Sequence, residues 1–146
     1  MDVLVDTNVI LRRIHRAHTQ HRAAREAILR LTEDGNRICV ASQNLVEVWV
    51  VATRPLESNG LGLTPSQAER VLARVEGSVF RLPESDDVYS EWRRLVVAHG
   101  VSGKKTHDAR IVAAMLVHGL KHVLTFNASD FSRYSTIVVL DPLSPA

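Results

Sequence analysis

The sequence predicts an α/β fold: a mostly parallel five-stranded sheet flanked by helices on both faces. Five short apolar, largely β-branched runs occur at residues 3–6, 37–41, 78–82, 122–126 and 136–140. Between them lie stretches with helical spacing of apolar residues. Such alternation calls for parallel strands joined by crossover helices. The first run, Val3-Leu4-Val5-Asp6, also ends in an acid and turns helical at once. That places Asp6 at the carboxyl edge of the sheet, where open α/β folds hold their ligands.

The elements run in order. Strand 3–6 leads into a helix over 8–17, which Asp6 or Thr7 can cap. A second helix covers 20–32, with Ala24, Ile28, Leu29 and Leu31 as its stripe, and stops at the turn Asp34-Gly35-Asn36. After strand 37–41, Ser42 reads as the cap of a helix over 43–53. That helix is apolar nearly all round (Leu45, Val46, Val48, Trp49, Val50, Val51, Ala52), which predicts burial on several sides. Residues 54–64 read as the loosest stretch. Thr64 caps and Pro65 opens a helix to Glu76. Strand 78–82 precedes a helix capped by Ser85 and running through His99. A Gly-rich basic loop, 100–105, leads to a helix over 108–118 capped by Thr106 and ended by Gly119. Strand 122–126, a loop over 127–132 and strand 136–140 complete the sheet.

The whole-chain numbers set bounds. At 146 residues with 45% hydrophobic and 23% charged content, the chain suits one domain spanning 1–146 and excludes wholesale disorder. A pI near 9.0 with a net charge of only +2 permits a polyanionic partner without amounting to a polybasic coat. The lone Cys39, within an apolar run, reads as a buried hydrophobe and excludes an internal disulfide. No run is long enough for a signal peptide or a membrane span. The expectation is a cytoplasmic protein that meets no membrane.

Four of the sixteen acids do not read as solvated surface. Each has a plain structural reading beside the functional one. Asp6 is a good helix cap. Glu47 sits in an apolar helix without a basic residue three or four positions away, so it is costly to bury unless bound to something; alternatively it faces solvent on a narrow polar stripe. Asp108 suits the positive end of its helix. Asp130 suits a turn. Asp6, Glu47 and Asp130 nevertheless all come after strands of one parallel sheet, and Asp108 opens the helix leading to the fourth. Like charges gathered there persist only if protonated or neutralised. An all-oxygen ligand set points to Mg²⁺ or Mn²⁺, whose natural chemistry is on phosphodiesters.

The residues Val5-Asp6-Thr7-Asn8-Val9-Ile10-Leu11, Asn44-Leu45-Val46-Glu47-Val48, His107-Asp108-Ala109-Arg110-Ile111-Val112-Ala113 and Thr125-Phe126-Asn127-Ala128-Ser129-Asp130-Phe131 resemble the PIN-domain family, and within it the VapC-type toxins. The resemblance implies a PIN-like fold and a metal-dependent endoribonuclease, the toxin of a type II toxin–antitoxin pair. Carried over, Asp6, Glu47 and Asp108 would be metal ligands. Asp130 would supply a fourth acid, directly or through water, with Thr125 and Asn127 in support. Without it a three-carboxylate site remains. Thr7 and Asn8 would orient ligands, Asn8 holding Glu47. A metal-activated water would cut RNA, leaving 5′-phosphate and 3′-hydroxyl ends. The resemblance also implies a cognate antitoxin and a homodimer.

Basic residues suggest where RNA would lie. Arg12, Arg13 and Arg16, followed by Arg22 and Arg25, occur with His15, His18 and His21 and no acid between Arg12 and Arg25. Lys104 and Lys105 flank Asp108. Both groups read as backbone contacts for RNA; the plain alternative is a solvated helix face. Two other functions compete. A haloacid-dehalogenase-like phosphatase wants a second Asp where this chain has Asn8. A non-cleaving PIN-fold module that binds RNA or protein has no need of all four acids.

Overall fold

The structure, a computed structural model, describes residues 1–144. Five strands, β1 (Asp2–Val5), β2 (Arg37–Val40), β3 (Phe80–Arg81), β4 (His122–Leu124) and β5 (Val138–Leu140), form one sheet in the order β3-β2-β1-β4-β5. Every neighbouring pair is parallel, as the alternating pattern predicts. The helices are α1 (Thr7–Ile14), α2 (His21–Glu33), α3 (Ser42–Thr53), α4 (Pro65–Ser78), α5 (Asp86–Ala98) and α6 (Lys105–Val117).

Alternation along the strands divides the core between two faces. Val3, Val5, Ile38, Val40 and Leu124 pack with α1, α2, α3 and Val75 of α4. Leu4, Cys39 and Val123 point the other way, onto Val88 and Leu95 of α5 and Ile111, Val112 and Met115 of α6. Cys39 is fully buried and unpaired. The central strand β1 is covered on both sides, so Asp6, one residue beyond it, emerges from the middle of the sheet.

Several expected boundaries shift, each for a local reason. Helix α1 ends at Ile14, not 17. Beyond it the His15 carbonyl takes the His18 N–H, the His18 ring takes the Gln20 N–H, and the His21 ring donates to the Arg12 carbonyl at 2.9 Å. The three histidines thus turn the chain and tie α2 to the end of α1. Ala41, not Ser42, is the cap residue of α3; Asn44 Oδ1 accepts its N–H at 2.8 Å. Helix α6 begins at Lys105, with Thr106 inside the first turn and its hydroxyl on the Gly103 carbonyl. Ser85 occupies the cap position of α5, but its hydroxyl makes no cap bond. Strand β3 keeps only Phe80 and Arg81, because α4 continues through Ser78. Strand β4 stops at Leu124: the next N–H, of Thr125, still bonds Leu140, but that of Phe126 goes to the Asn8 side chain at 3.1 Å.

Two further features concern α3 and the stretch beyond its carboxyl end. Residues 54–64 form a closed cap, not a loose loop. The N–H groups of Leu61, Gly62 and Leu63 bond the carbonyls of Val51, Arg54 and Ala52 at the end of α3. A Cβ on Gly60 would lie 2.0 Å from the Arg54 carbonyl oxygen, so the cap closes only on glycine. And α3 buries Asn44, Leu45, Val48 and Ala52, while Val46 and Val50 are 63% and 50% exposed.

Candidate active site

The turns after β1, β2 and β4 and the first turn of α6 meet at the carboxyl edge of the sheet. Asp6 leaves β1 in extended conformation as the cap residue of α1. It is 7% exposed, and both its oxygens are held. Oδ1 accepts the Thr7 N–H at 2.8 Å, and Oδ2 accepts the Thr125 hydroxyl at 2.9 Å. Asp6 is therefore the helix cap that its structural reading expects. Burial pushes its carboxyl up to about 6 against these hydrogen bonds, with Glu47 and Asp108 adding repulsion.

Glu47 is half-buried on α3. Its Oε2 accepts the Thr7 hydroxyl at 2.5 Å and its Oε1 the Gln43 amide at 3.0 Å. Thr7, not Asn8, holds Glu47; this corrects the role expected for Asn8. Glu47 also has a partner on its own helix after all, the uncharged Gln43 one turn earlier. The same Gln43 nitrogen donates to the His107 carbonyl at 2.9 Å, which joins α3 to the first turn of α6, where Asp108 lies.

Two relays of the same form fix the first two acids. In one, Asn44 donates to the Thr7 oxygen at 3.1 Å, leaving the Thr7 proton for Glu47. In the other, Asn8 donates to the Thr125 oxygen at 3.2 Å, leaving the Thr125 proton for Asp6. Each amide is oriented by a backbone N–H on its oxygen, from Ala41 for Asn44 and from Phe126 for Asn8. An amide oxygen can only accept and a hydroxyl has one proton to give, which sets the direction of both relays. Asn8 reaches Asp6 Oδ2 as well, at 3.4 Å.

Asp108 is half-buried in the first turn of α6. Trp92 Nε1 bonds the Thr106 carbonyl at 2.8 Å, and Arg110 bridges Gln43 and Glu84. Both hold this end of α6 against its neighbours. Burial raises the Asp108 carboxyl, with Asp130 and Glu47 repelling it and Lys105 opposing the rise. Asp130 lies in a 3₁₀ turn, Ala128–Phe131, and pairs with Lys105 Nζ at 2.7 Å. Asn127 precedes that turn; its N–H bonds the Thr125 hydroxyl oxygen at 3.0 Å.

Of the expected basic residues, Lys105 alone is bonded to one of the four acids. Lys104 is exposed at the cap of α6. Arg12 bonds Gln20. Arg13 is exposed at the end of α1, and Arg16 is exposed in the turn beyond it. Three positioning residues escaped the sequence reading: Gln43, Asn44 and Arg110. The signal for Asn44 and Arg110 lay in their places in the motifs around Glu47 and Asp108, while the full burial of Asn44 appears only with the fold.

The donor set fits a hard divalent cation. It consists of carboxylate oxygens, and among the described residues Asp6, Glu47 and Asp108 form no ion pair. Among the described residues no three acidic, histidine or cysteine side chains already stand close enough to ligate one ion together.

The PIN domain family model matches residues 3–137. Curated protein sequences gave no match. The fold is similar to several solved structures. VapBC-1 from nontypeable Haemophilus influenzae aligns with TM-score 0.71 and 18% identity, covering 99% of this chain and 100% of that one. DNA-bound VapBC from Salmonella typhimurium gives 0.71 and 21%, covering 97% and 98%. VapC20 from Mycobacterium tuberculosis, described as a sarcin–ricin loop cleaving toxin, gives 0.64 and 17%, covering 90% and 95%. At these identities the likeness establishes the fold, and the family model, which spans nearly the whole chain, establishes the family. The chain belongs to the PIN domain family.

Proposed function

We propose that this protein is a metal-dependent endoribonuclease, the toxin of a type II toxin–antitoxin pair. The observation that carries the reading is the convergence of Asp6, Glu47 and Asp108 at one sheet edge, with no cation among the described residues paired to any of them. Structural relatives that include VapBC complexes and a toxin said to cleave the sarcin–ricin loop support it.

Asp6, Glu47 and Asp108 would hold the metal, with Asp130 beside them. Bound Mg²⁺ or Mn²⁺ would supply Lewis acidity, lowering the pKa of water and balancing charge on the phosphate. The chain's own part is to keep the carboxylates aimed. Thr125 commits its hydroxyl proton to Asp6, which favours the charged form of that acid against burial, and Thr7 commits its own to Glu47 and fixes where that carboxylate points. The buried amides of Asn8 and Asn44 keep those hydroxyls from rotating away. Arg12, Arg13, Arg16 and Lys104 would meet the RNA backbone, while Lys105 is held on Asp130. With aromatic residues at 5% of the chain, recognition rests on phosphate and shape more than on base stacking.

A cognate antitoxin would cover the site or the groove beside it. The exposed Val46 and Val50 on α3 support a homodimer surface. Among the described residues no helix is long and apolar enough to cross a membrane; the proposed pair would act on RNA in the cytoplasm.

The test is cleavage of a structured RNA by purified, antitoxin-free protein in Mg²⁺ or Mn²⁺, with EDTA and Asp6→Asn controls. Cleavage lost in both controls supports the reading. Cleavage that survives both, or none in either metal by a folded protein, overturns it.

A further inference from the structure

Among the described residues the four acids enter one ion pair, Lys105 with Asp130. Lys105 opens α6 one turn before Asp108, and residues three apart share a helix face. Its side chain crosses from that face to the 3₁₀ turn after β4, reaching Asp130 Oδ1 at 2.7 Å. Its charge acts on Asp108 as well as on Asp130. The acidic edge is thus divided. Asp6, Glu47 and Asp108 present three carboxylates without a cation, while Asp130 already has one, built into the chain.

We propose that Lys105 is a tethered counter-cation that occupies the Asp130 corner and limits the site to one tightly held divalent ion. The inference rests on the metal-binding reading of the other three acids. One divalent ion on Asp6, Glu47 and Asp108 leaves a single net negative charge among them. A second ion would have to find ligands in that remainder and in Asp130, with an ammonium group in contact with the same carboxylate. A unit charge within several ångströms of a divalent ion costs enough, even well screened, to weaken it about tenfold or more. Lys105 is half-exposed, so its contribution to fold stability is small. Its effect is on occupancy of the site.

The test is Mn²⁺ titration followed by calorimetry and by the electron paramagnetic resonance signal of free Mn²⁺. The proteins are wild type, Lys105→Gln, Lys105→Arg, Asp130→Asn and the Lys105→Gln/Asp130→Asn double variant, each checked for a cooperative melt. Wild type, Lys105→Arg and Asp130→Asn are expected to take one tight ion. Lys105→Gln is expected to gain a second, at least about tenfold tighter than any second ion in wild type, and the double variant to lose it. Two equally tight ions in wild type, or identical titrations for wild type and Lys105→Gln, overturn the role of Lys105 and leave the metal site standing. If no folded variant takes up Mn²⁺, the metal reading itself fails and this inference falls with it.

Discussion

Thr7 gives its one hydroxyl proton to Glu47, forty residues away in sequence, at 2.5 Å. It is free to do so because the fully buried Asn44 already donates to its oxygen. Replacing Thr7 by Val removes the donor and strands the Asn44 amide. An unsatisfied buried donor costs roughly 1–3 kcal/mol, so Thr7→Val should lose that much in urea denaturation. Thr7→Ser should stay near wild type. Equal stability of Thr7→Val and wild type would show that the relay is not fixed in solution.

The matching relay predicts a titration. The Thr125 hydroxyl is the foremost interaction holding Asp6 down against burial. Thr125→Val should therefore move the Asp6 midpoint upward from about 6, read as the carboxyl carbon shift by NMR in EDTA. Thr125→Ser should leave it in place.

Asp6 also makes stability depend on pH. Its carboxyl is held at about 6 in the folded chain against an ordinary 3.8. Between these values the folded state binds the proton more tightly than the unfolded chain, so raising the pH across that interval favours unfolding. In EDTA, stability should fall from about pH 4 to pH 6 and level off above, by roughly 2–3 kcal/mol for this group. Asp6→Asn should lack this fall and melt higher than wild type at pH 7.5, with the difference shrinking at pH 4. A parallel pH dependence in both proteins would count against a raised Asp6.

Two glycines should respond in opposite directions. Gly60→Ala drives a Cβ into the Arg54 backbone, opening the cap on α3 at a cost on the order of 2–4 kcal/mol. Gly77 lies within α4 with nothing near its missing Cβ. Gly77→Ala should stabilise by roughly 0.5–1 kcal/mol through helix propensity and lost unfolded-state freedom. Chemical denaturation of both variants checks the pair.

Much of the architecture was legible because it is local. The β-branched runs ending at Asp6 and at Ala41 mark strands that lie where expected. The period-two division of Val3, Leu4 and Val5 between two cores comes from strand geometry alone. What misled were positions where a side chain intervened. Asn8 took the Phe126 N–H and shortened β4. The His18 and His21 rings bent the chain after α1. Lys105 began α6 three residues earlier than Thr106 and Asp108 suggested. The Phe126 partner of Asn8 lies 118 positions from it, beyond any local window, while the histidine bonds are local but run against the helical pattern around them.

The acids divide in the same way. Their order, and the strand-then-acid pattern, is written in the chain, because a parallel sheet delivers its strand ends to one edge whatever the loops do. The sequence by itself therefore determined the fold class and which edge the acids approach. Only the tertiary structure decided how each acid is held: Asp6 buried under Thr125, Glu47 bonded to Thr7 and not Asn8, Asp130 paired with Lys105. Hydrogen bonds and ion pairs act over about 3 Å, while the residues that make these are 25 to 119 positions apart. Packing has to bring them within reach before chemistry can choose among them.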